Sequence, residues 1–547
     1  MGSRCAALLA VFTVFALACD DDDSSAADAR TADVAAVDLG VSDAVAQPDT
    51  GLREEARALI LGVEETASIQ LPGLSDVVHV VRTEGDIPHV YAANRLDLAR
   101  VQGYLVARDR YFMMDLGRRL AQGRVGELVG GLVLGVDITA RNQGMLHAGQ
   151  RILETLPDDL GAEFDAFAEG INVYVDRVNE GTDPPPSELA LAAPVLGASS
   201  AAELMEPFTR LDIAAFAATV LYMSGYESTD LEQELGIQAA LEHLAGSPLE
   251  ALRMDGIVRD VFERVAPIED VRSVEGGAAS ESATAARPGA NKRALLTLPA
   301  TAKGLLRQVR QMQAVLGKSS KSEFGSNAWA VAGVHTPGGA TLVAGDGHLS
   351  LSVPSFFVQM GLDTDVFGAD GALHVRGLFI PGLPQLGVGT NGHVAWSFTY
   401  FYADVTDWYR EALTVGDDGY PEASMFRGEA RPLRRVEETY TLRAIPALGS
   451  EGGMVTHPRW ETFDGRRVMA IEGTPVLEGV EPGPDDVVVN LGDGPVIIGD
   501  VDGDGVLSAV SMDYTGLDAH GTLPAYGDLS KATNIAEFRD AQRRIGV

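Results

Sequence analysis

A serine that opens a strand is the residue of this chain best placed to do chemistry. It stands in Gly325-Ser326-Asn327-Ala328-Trp329-Ala330-Val331-Ala332-Gly333, where a Gly-Ser step leads into a strand-like run. The turn Thr336-Pro337-Gly338-Gly339 follows, then a second run from Ala340 to Ala344, so the pattern predicts a hairpin. By pattern alone such a step is an ordinary turn. A serine hydroxyl is a weak nucleophile and works only beside a base. His348 lies 348 − 326 = 22 positions further on, and a lone histidine is most often structural. One stretch, Asp500-Val501-Asp502-Gly503-Asp504-Gly505, carries hard carboxylate oxygens that could suit calcium. It opens like an EF-hand loop. Its twelfth position is Ser511 rather than a bidentate glutamate, so a Gly/Asp hairpin turn is the better reading.

The elements that must position these residues come in two blocks. Val77 to Arg82 reads as a strand, Thr83 to Asp86 as a turn, and Ile87 to Ala92 as a second strand that Pro88 marks as an edge or an irregular start. Asn94 is a helix cap, and the helix it starts runs to about Gln122. Asp109, Arg110, Asp115, Arg118 and Arg119 recur along that helix near its period and read as a solvated charged face. Leu204 to Leu244 reads as mostly helical. Val274 to Lys292 is rich in Gly, Ala, Ser and Glu, a spacer composition, and Ala300 to Leu316 has the pattern of a basic amphipathic helix. Beyond Ser326 the chain turns strand-rich, with turn signals at Asp346-Gly347, Pro381-Gly382, Asn391-Gly392 and Asp417-Asp418-Gly419. That spacing predicts large antiparallel sheets.

The 547 residues are 46% hydrophobic, ample for a large core, and carry a formal net charge of −36. Such a charge argues against nucleic acid as a partner, since there is no basic patch to neutralise phosphates. Arg4 precedes an apolar run from Ala6 to Ala18, too short for a membrane span and of the length of a signal peptide. The run ends in Ala16-Leu17-Ala18-Cys19, which resembles a bacterial lipoprotein signal with Cys19 as the lipidated residue. Cys5 and Cys19 are the two cysteines, so cleavage before Cys19 leaves none for a disulfide or a metal. Asp20 to about Gly51 is rich in Asp, Ala, Ser and Thr and reads as a solvated tether. The expected location is the bacterial cell envelope, periplasm or cell surface, with the membrane reached through the lipid anchor only.

The stretch around Ser326 resembles the precursors of penicillin acylases and acyl-homoserine-lactone acylases, which are N-terminal-nucleophile hydrolases. The run from Asp86-Ile87-Pro88-His89 through Gly103-Tyr104, Asp109-Arg110, Arg118-Arg119, Gly123 and Glu127 resembles the start of their α-segment. The resemblance implies an α+β fold, a four-layer αββα sandwich with two antiparallel sheets. It divides the chain into signal peptide (1–18), acidic tether (19–51), α-segment (52–271), spacer (272–325) and a partial β-segment (326–547). It implies self-cleavage between Gly325 and Ser326, after which the two chains stay associated. The freed serine then attacks a linear N-acyl amide, an acyl-homoserine lactone or a β-lactam side chain, and no cofactor is needed for catalysis.

The same resemblance assigns the other site residues. His348 stands where the lactone-acylase and cephalosporin-acylase branches have a histidine that helps position the new amine. Asn391-Gly392-His393-Val394-Ala395-Trp396 resembles the family's Asn-Gly-x-x-x-Trp segment, which makes the backbone N–H of Tyr400 an oxyanion donor. Leu349, Val388, Tyr402, Tyr222 and Met223 are the implied acyl-pocket residues. Asp404, Thr406 and Asp407, with Glu232 or Glu234, are the implied ligands of a structural calcium ion. Ala532-Thr533-Asn534-Ile535-Ala536-Glu537-Phe538-Arg539-Asp540-Ala541 resembles a helix that precedes the family's other oxyanion donor, an asparagine side chain expected just beyond Val547. The expectation is therefore a gene fragment or a truncated relative. A second reading from a different class is a degenerate, non-catalytic envelope lipoprotein with a binding role.

Overall fold

Asn94 starts the longest helix by capping it. Its side chain accepts from the Asp97 N–H at 2.9 Å, and its amide donates back to Asp97 Oδ2 at 2.7 Å. The computed structural model describes residues 50–223, 325–349, 353–368, 373–399, 405–477, 479–501, 503–518 and 521–546. The helices are α1 (Thr50–Leu61), α2 (Arg95–Gln122), α3 (Gly126–Val129), α4 (Leu134–Gln143), α5 (Met145–Glu154), α6 (Asp158–Asn179), α7 (Ser187–Ala192), α8 (Arg210–Met223), α9 (Thr522–Leu529) and α10 (Ile535–Gln542). Helices α2 and α6 cross at glycine contacts: a Cβ on Gly170 would sit 1.9 Å from the Arg100 carbonyl oxygen. No described helix is long and apolar enough to cross a membrane.

Strands β1 (His79–Arg82), β2 (Pro88–Tyr91), β3 (Gly325–Val331), β4 (Leu342–His348), β5 (Val358–Asp363), β6 (His374–Phe379), β7 (Leu386–Thr390) and β8 (Ala395–Trp396) come first. Then follow β9 (Thr406–Val415), β10 (Pro421–Phe426), β11 (Glu429–Pro432), β12 (Arg434–Leu442), β13 (Gly453–Glu461), β14 (Arg467–Ile471), β15 (Gly473–Pro475), β16 (Val488–Asn490), β17 (Pro495–Ile498) and β18 (Leu507–Tyr514). A six-stranded sheet has the order β1-β2-β5-β6-β7-β8, and a seven-stranded sheet the order β11-β10-β9-β18-β14-β13-β12. Strands β15-β17-β16 make a small sheet, and β3-β4 a hairpin that, among the described residues, forms no ladder to the others. The fold is α+β, as expected. One core joins α2, α6 and α8 (Leu98, Phe164, Phe167, Ile213) to β5 and β6 (Met360, Phe379), to β18 (Met512) and to α9 and α10 (Leu529, Phe538).

Four expectations need correction. The six-stranded sheet is not wholly antiparallel: β2 pairs with β5 in parallel, His89 opposite Gly361. Asp346-Gly347 is not a turn but the end of β4, because Ser326 and Asn327 pair with it across the hairpin. The charged face of α2 is not solvated throughout. Asp115, Arg118 and Arg119 are buried, at 0%, 1% and 2% exposure. Arg118 Nε donates to Asp115 Oδ1 at 2.9 Å, and Arg119 Nε to Asp115 Oδ2 at 2.9 Å. The segment before α8 completes the network: Arg118 also donates to the Glu206 carbonyl at 3.0 Å and lies 3.9 Å over the Phe208 ring. That segment is extended rather than helical, so α8 starts later than the Leu204 expected.

Candidate active site

The hairpin of β3 and β4 has two faces, and the pleat decides which residues meet. Residues directly opposite on antiparallel strands share a face. Ser326 is paired with Gly347 and Ala328 with Gly345, so these four lie on one side. A Cβ on Gly347 would be 4.0 Å from Ser326 Oγ, in keeping with that register. Gly325 is paired with His348 and Asn327 with Asp346, on the other side. His348 Nε2 is 3.3 Å from Asp346 Oδ2 and 3.2 Å from Asn327 Nδ2. The predicted pair Ser326 and His348 is thus brought together in sequence register but on opposite faces. His348 stands directly across from Gly325, the residue whose bond to Ser326 is the expected cleavage point.

The Ser326 face is the one turned to the six-stranded sheet. A Cβ on Gly345 would lie 1.9 Å from Ser397 Oγ and 2.3 Å from Ser397 Cβ, so only glycine allows this approach. Ser397 follows directly on β8 and lies three positions before Tyr400. What fixes β8 is a set of contacts that motif reading alone did not reveal. Asn391 is buried and spends all its hydrogen-bonding capacity on backbone. Its Nδ2 donates to the Ala532 and Ser530 carbonyls at 2.7 and 3.2 Å. Its Oδ1 accepts from the His393 and Val394 N–H groups at 3.0 and 2.8 Å. Trp396 donates from Nε1 to the Gly387 carbonyl at 2.8 Å, and its ring packs on Phe538, centroids 5.6 Å apart. Phe398 packs on Tyr526 at 5.5 Å. Burial pushes the Tyr526 phenol pKa up, which leaves it a packing partner rather than a base.

The remaining predicted residues are placed less tightly. Leu349 directly follows β4, and Val388 lies on β7 opposite Leu378. Tyr222 is buried on α8, its ring 5.0 Å from that of Tyr514, inside the helix–sheet core. Met223 closes the same helix. Of the implied calcium ligands, Thr406 and Asp407 start β9, and Tyr409 donates to Asp407 Oδ2 at 3.4 Å. Asp404, Glu232, Glu234, Tyr400, Tyr402, Cys19 and the Ala300 to Leu316 segment lie outside the described residues. Among the described residues, no three His, Cys, Asp or Glu side chains group to hold a metal. Thr406 and Asp407 alone fall short of the six to eight oxygens calcium takes. Asp500 accepts from the Gly503 and Gly505 N–H groups at 2.7 and 2.8 Å, the geometry of a turn.

Residues 77–547 match the penicillin amidase family. The chain belongs to that family. It is 30% identical over 369 residues to the penicillin acylase 2 proenzyme of Pseudomonas sp. strain SE83, covering 67% of this chain and 41% of that protein. It is 25% identical over 497 residues to the acyl-homoserine lactone acylase QuiP of Pseudomonas aeruginosa, covering 88% of this chain and 48% of that protein. The chain therefore spans under half the length of these curated relatives. A thermostable penicillin G acylase from Alcaligenes faecalis is similar at 24% identity and a TM-score of 0.28, over 37% of this chain and 98% of that one. Hydrolysis of amides is the chemistry common to these family members.

Proposed function

We propose that this chain is part of an amidase precursor that cuts itself before Ser326 and then hydrolyses linear N-acyl amides. The observation that carries the reading is the placement of Ser326. Its hydroxyl lies on the hairpin face that Gly345 and Ser397 hold against the end of β8, three positions before the proposed oxyanion donor at Tyr400. Within the uncut chain the Ser326 nitrogen is an amide and cannot take a proton. Once cut, it is an amine with a reference pKa of roughly 7.7–8.0, suited to a general base. The hydroxyl then adds to the substrate carbonyl carbon while the amine takes its proton. Collapse of the tetrahedral adduct returns that proton to the leaving amine and leaves an acyl-Ser326 ester. Water, activated by the same amine, hydrolyses the ester.

His348 at the lactone-acylase position favours N-acyl-homoserine lactones over phenylacetyl amides. An apolar pocket with Leu349 and Val388 would reward each buried methylene with ~0.8 kcal/mol. The run ending at Cys19 favours a lipid-anchored envelope protein, with both chains retained after the cut. Intact-mass analysis of the full-length protein tests the core of this reading. It should show two chains, the second beginning Ser-Asn-Ala-Trp. Ser326→Ala should leave one chain and release no homoserine lactone. A stable uncut chain with full amidase activity would refute the proposal.

A further inference from the structure

On the hairpin face opposite the Ser326 hydroxyl, two side chains converge on one imidazole nitrogen. Asp346 Oδ2 is 3.3 Å and Asn327 Nδ2 is 3.2 Å from His348 Nε2. The three residues meet because Asp346 and His348 are two apart on β4 and Asn327 pairs with Asp346 across the hairpin. One nitrogen cannot satisfy both contacts as they stand. A carboxylate only accepts, so it requires Nε2–H. An amide N–H only donates, so it requires a bare Nε2. A carboxamide can be turned over with almost no change of shape. Turning Asn327 over brings Oδ1 to Nε2, and the two acceptors then share one N–H. The opposite choice sets a bare ring nitrogen against an ionised carboxylate.

We propose that Asp346 is a positioning residue for His348. With Asn327 as second acceptor, it holds the ring as the Nε2–H tautomer and leaves Nδ1 as the lone-pair nitrogen. The inference rests on the reading of Ser326 as the freed nucleophile. Among the described residues Nδ1 has no hydrogen-bond partner, and His348 stands across from Gly325. When the Gly325–Ser326 bond is cut, the new amine begins next to the residue that pairs with His348. An acceptor at Nδ1 can take one amine N–H and so direct the amine's own lone pair away from His348. Asp346 touches no substrate and acts only through the ring, as carboxylates behind histidines do elsewhere. Asp346 and His348 are 70% and 43% exposed. Water screens a pair that open, so the expected effect on turnover is several-fold rather than many orders.

The test uses full-length protein labelled with nitrogen-15 in its histidines. Ring-nitrogen shifts at alkaline pH report the tautomer, and His348→Gln assigns the signal by its loss. Wild type should show His348 as Nε2–H. Asp346→Asn, whose amide can donate as well as accept, should give a mixture, and Asp346→Glu should recover part of the original state. Released homoserine lactone should show a several-fold lower kcat in Asp346→Asn at unchanged KM, with cleavage before Ser326 scored separately by mass. Identical tautomer populations in wild type and Asp346→Asn would overturn the proposal, as would a turnover change confined to KM. If the tautomer responds to Asp346→Asn while wild type hydrolyses no amide, the ring-holding role stands and the amidase reading falls.

Discussion

Replacing Gly345 by alanine should move Ser326, the proposed nucleophile, away from the end of β8 without unfolding the protein. The new methyl would fall 1.9 Å from Ser397 Oγ and 2.3 Å from Ser397 Cβ. Ordinary contacts are about 3.5–4.0 Å, so relief demands a movement on the order of 1 Å or more. In a closed core such overpacking costs about 1–3 kcal/mol. The hairpin of β3 and β4 is exposed along β4 and, among the described residues, forms no ladder to another sheet, so it can swing away instead. Global stability should therefore change little, with Tm within a few degrees of wild type. Rate should suffer, since a misplacement of about 1 Å can cost roughly 10²-fold. The assay is twofold: the rate at which the precursor splits before Ser326, and kcat of whatever matures. The double variant Gly345→Ala/Ser397→Gly removes the obstructing side chain and should restore most of the loss. Wild-type processing and turnover in Gly345→Ala, or no recovery in the double variant, would show that this contact does not seat the hairpin.

Three further outcomes follow from buried polar groups. Asn391→Ala strands two carbonyls and two N–H groups and should cost about 2–3 kcal/mol in urea unfolding at unchanged m-value. Asp115→Ala leaves Arg118 and Arg119 without their shared carboxylate and should destabilise by about 3–5 kcal/mol, measured the same way. Burial raises the Asp137 carboxyl from 3.8 to about 7, despite N–H donors from Val125 and Gly126 at 2.7 Å. Its folded pKa lies above its unfolded one, so its contribution is complete below about 3.8 and is lost as pH rises through about 7. Asp137→Asn should remove up to one proton's worth of slope from stability against pH in that window, about 1.4 kcal/mol per pH unit. An unchanged slope would mean Asp137 is ionised in the fold.

The helix that Asn94 caps could be read from local sequence because its signal is local: a cap, a period, and Gly123 in the left-handed conformation at its end. The nucleophile hairpin was legible for the same reason. Asp346-Gly347 misled because Asp-Gly normally turns a chain. Here Gly347 and Asp346 lie opposite Ser326 and Asn327, and the cross-strand ladder keeps the pair extended. The buried arginines of α2 could not be told from surface ones by spacing, since their partners at Glu206 to Phe208 come from a distant segment. The parallel pairing of β2 with β5 is of the same kind, joining residues about 270 positions apart. The family resemblance named the residues around Ser326 and Trp396. Only the fold showed that a Gly345–Ser397 contact joins them and that Phe538 packs behind Trp396.

The β2–β5 ladder also bears on how the molecule ages. It draws one strand from before the expected cut and one from after it, and the shared core does the same. An uncut precursor can unfold and refold as one tethered chain. After the cut, the same opening releases two polypeptides that must find each other again, and refolding becomes second order in protein. At low concentration, recombination would be slower than proteolysis of the separated chains. Cutting would thus turn a reversible fold into a product with a lifetime, set by how rarely the sheet opens. Refolding yield should depend on dilution for matured protein and be independent of it for the uncut Ser326→Ala chain.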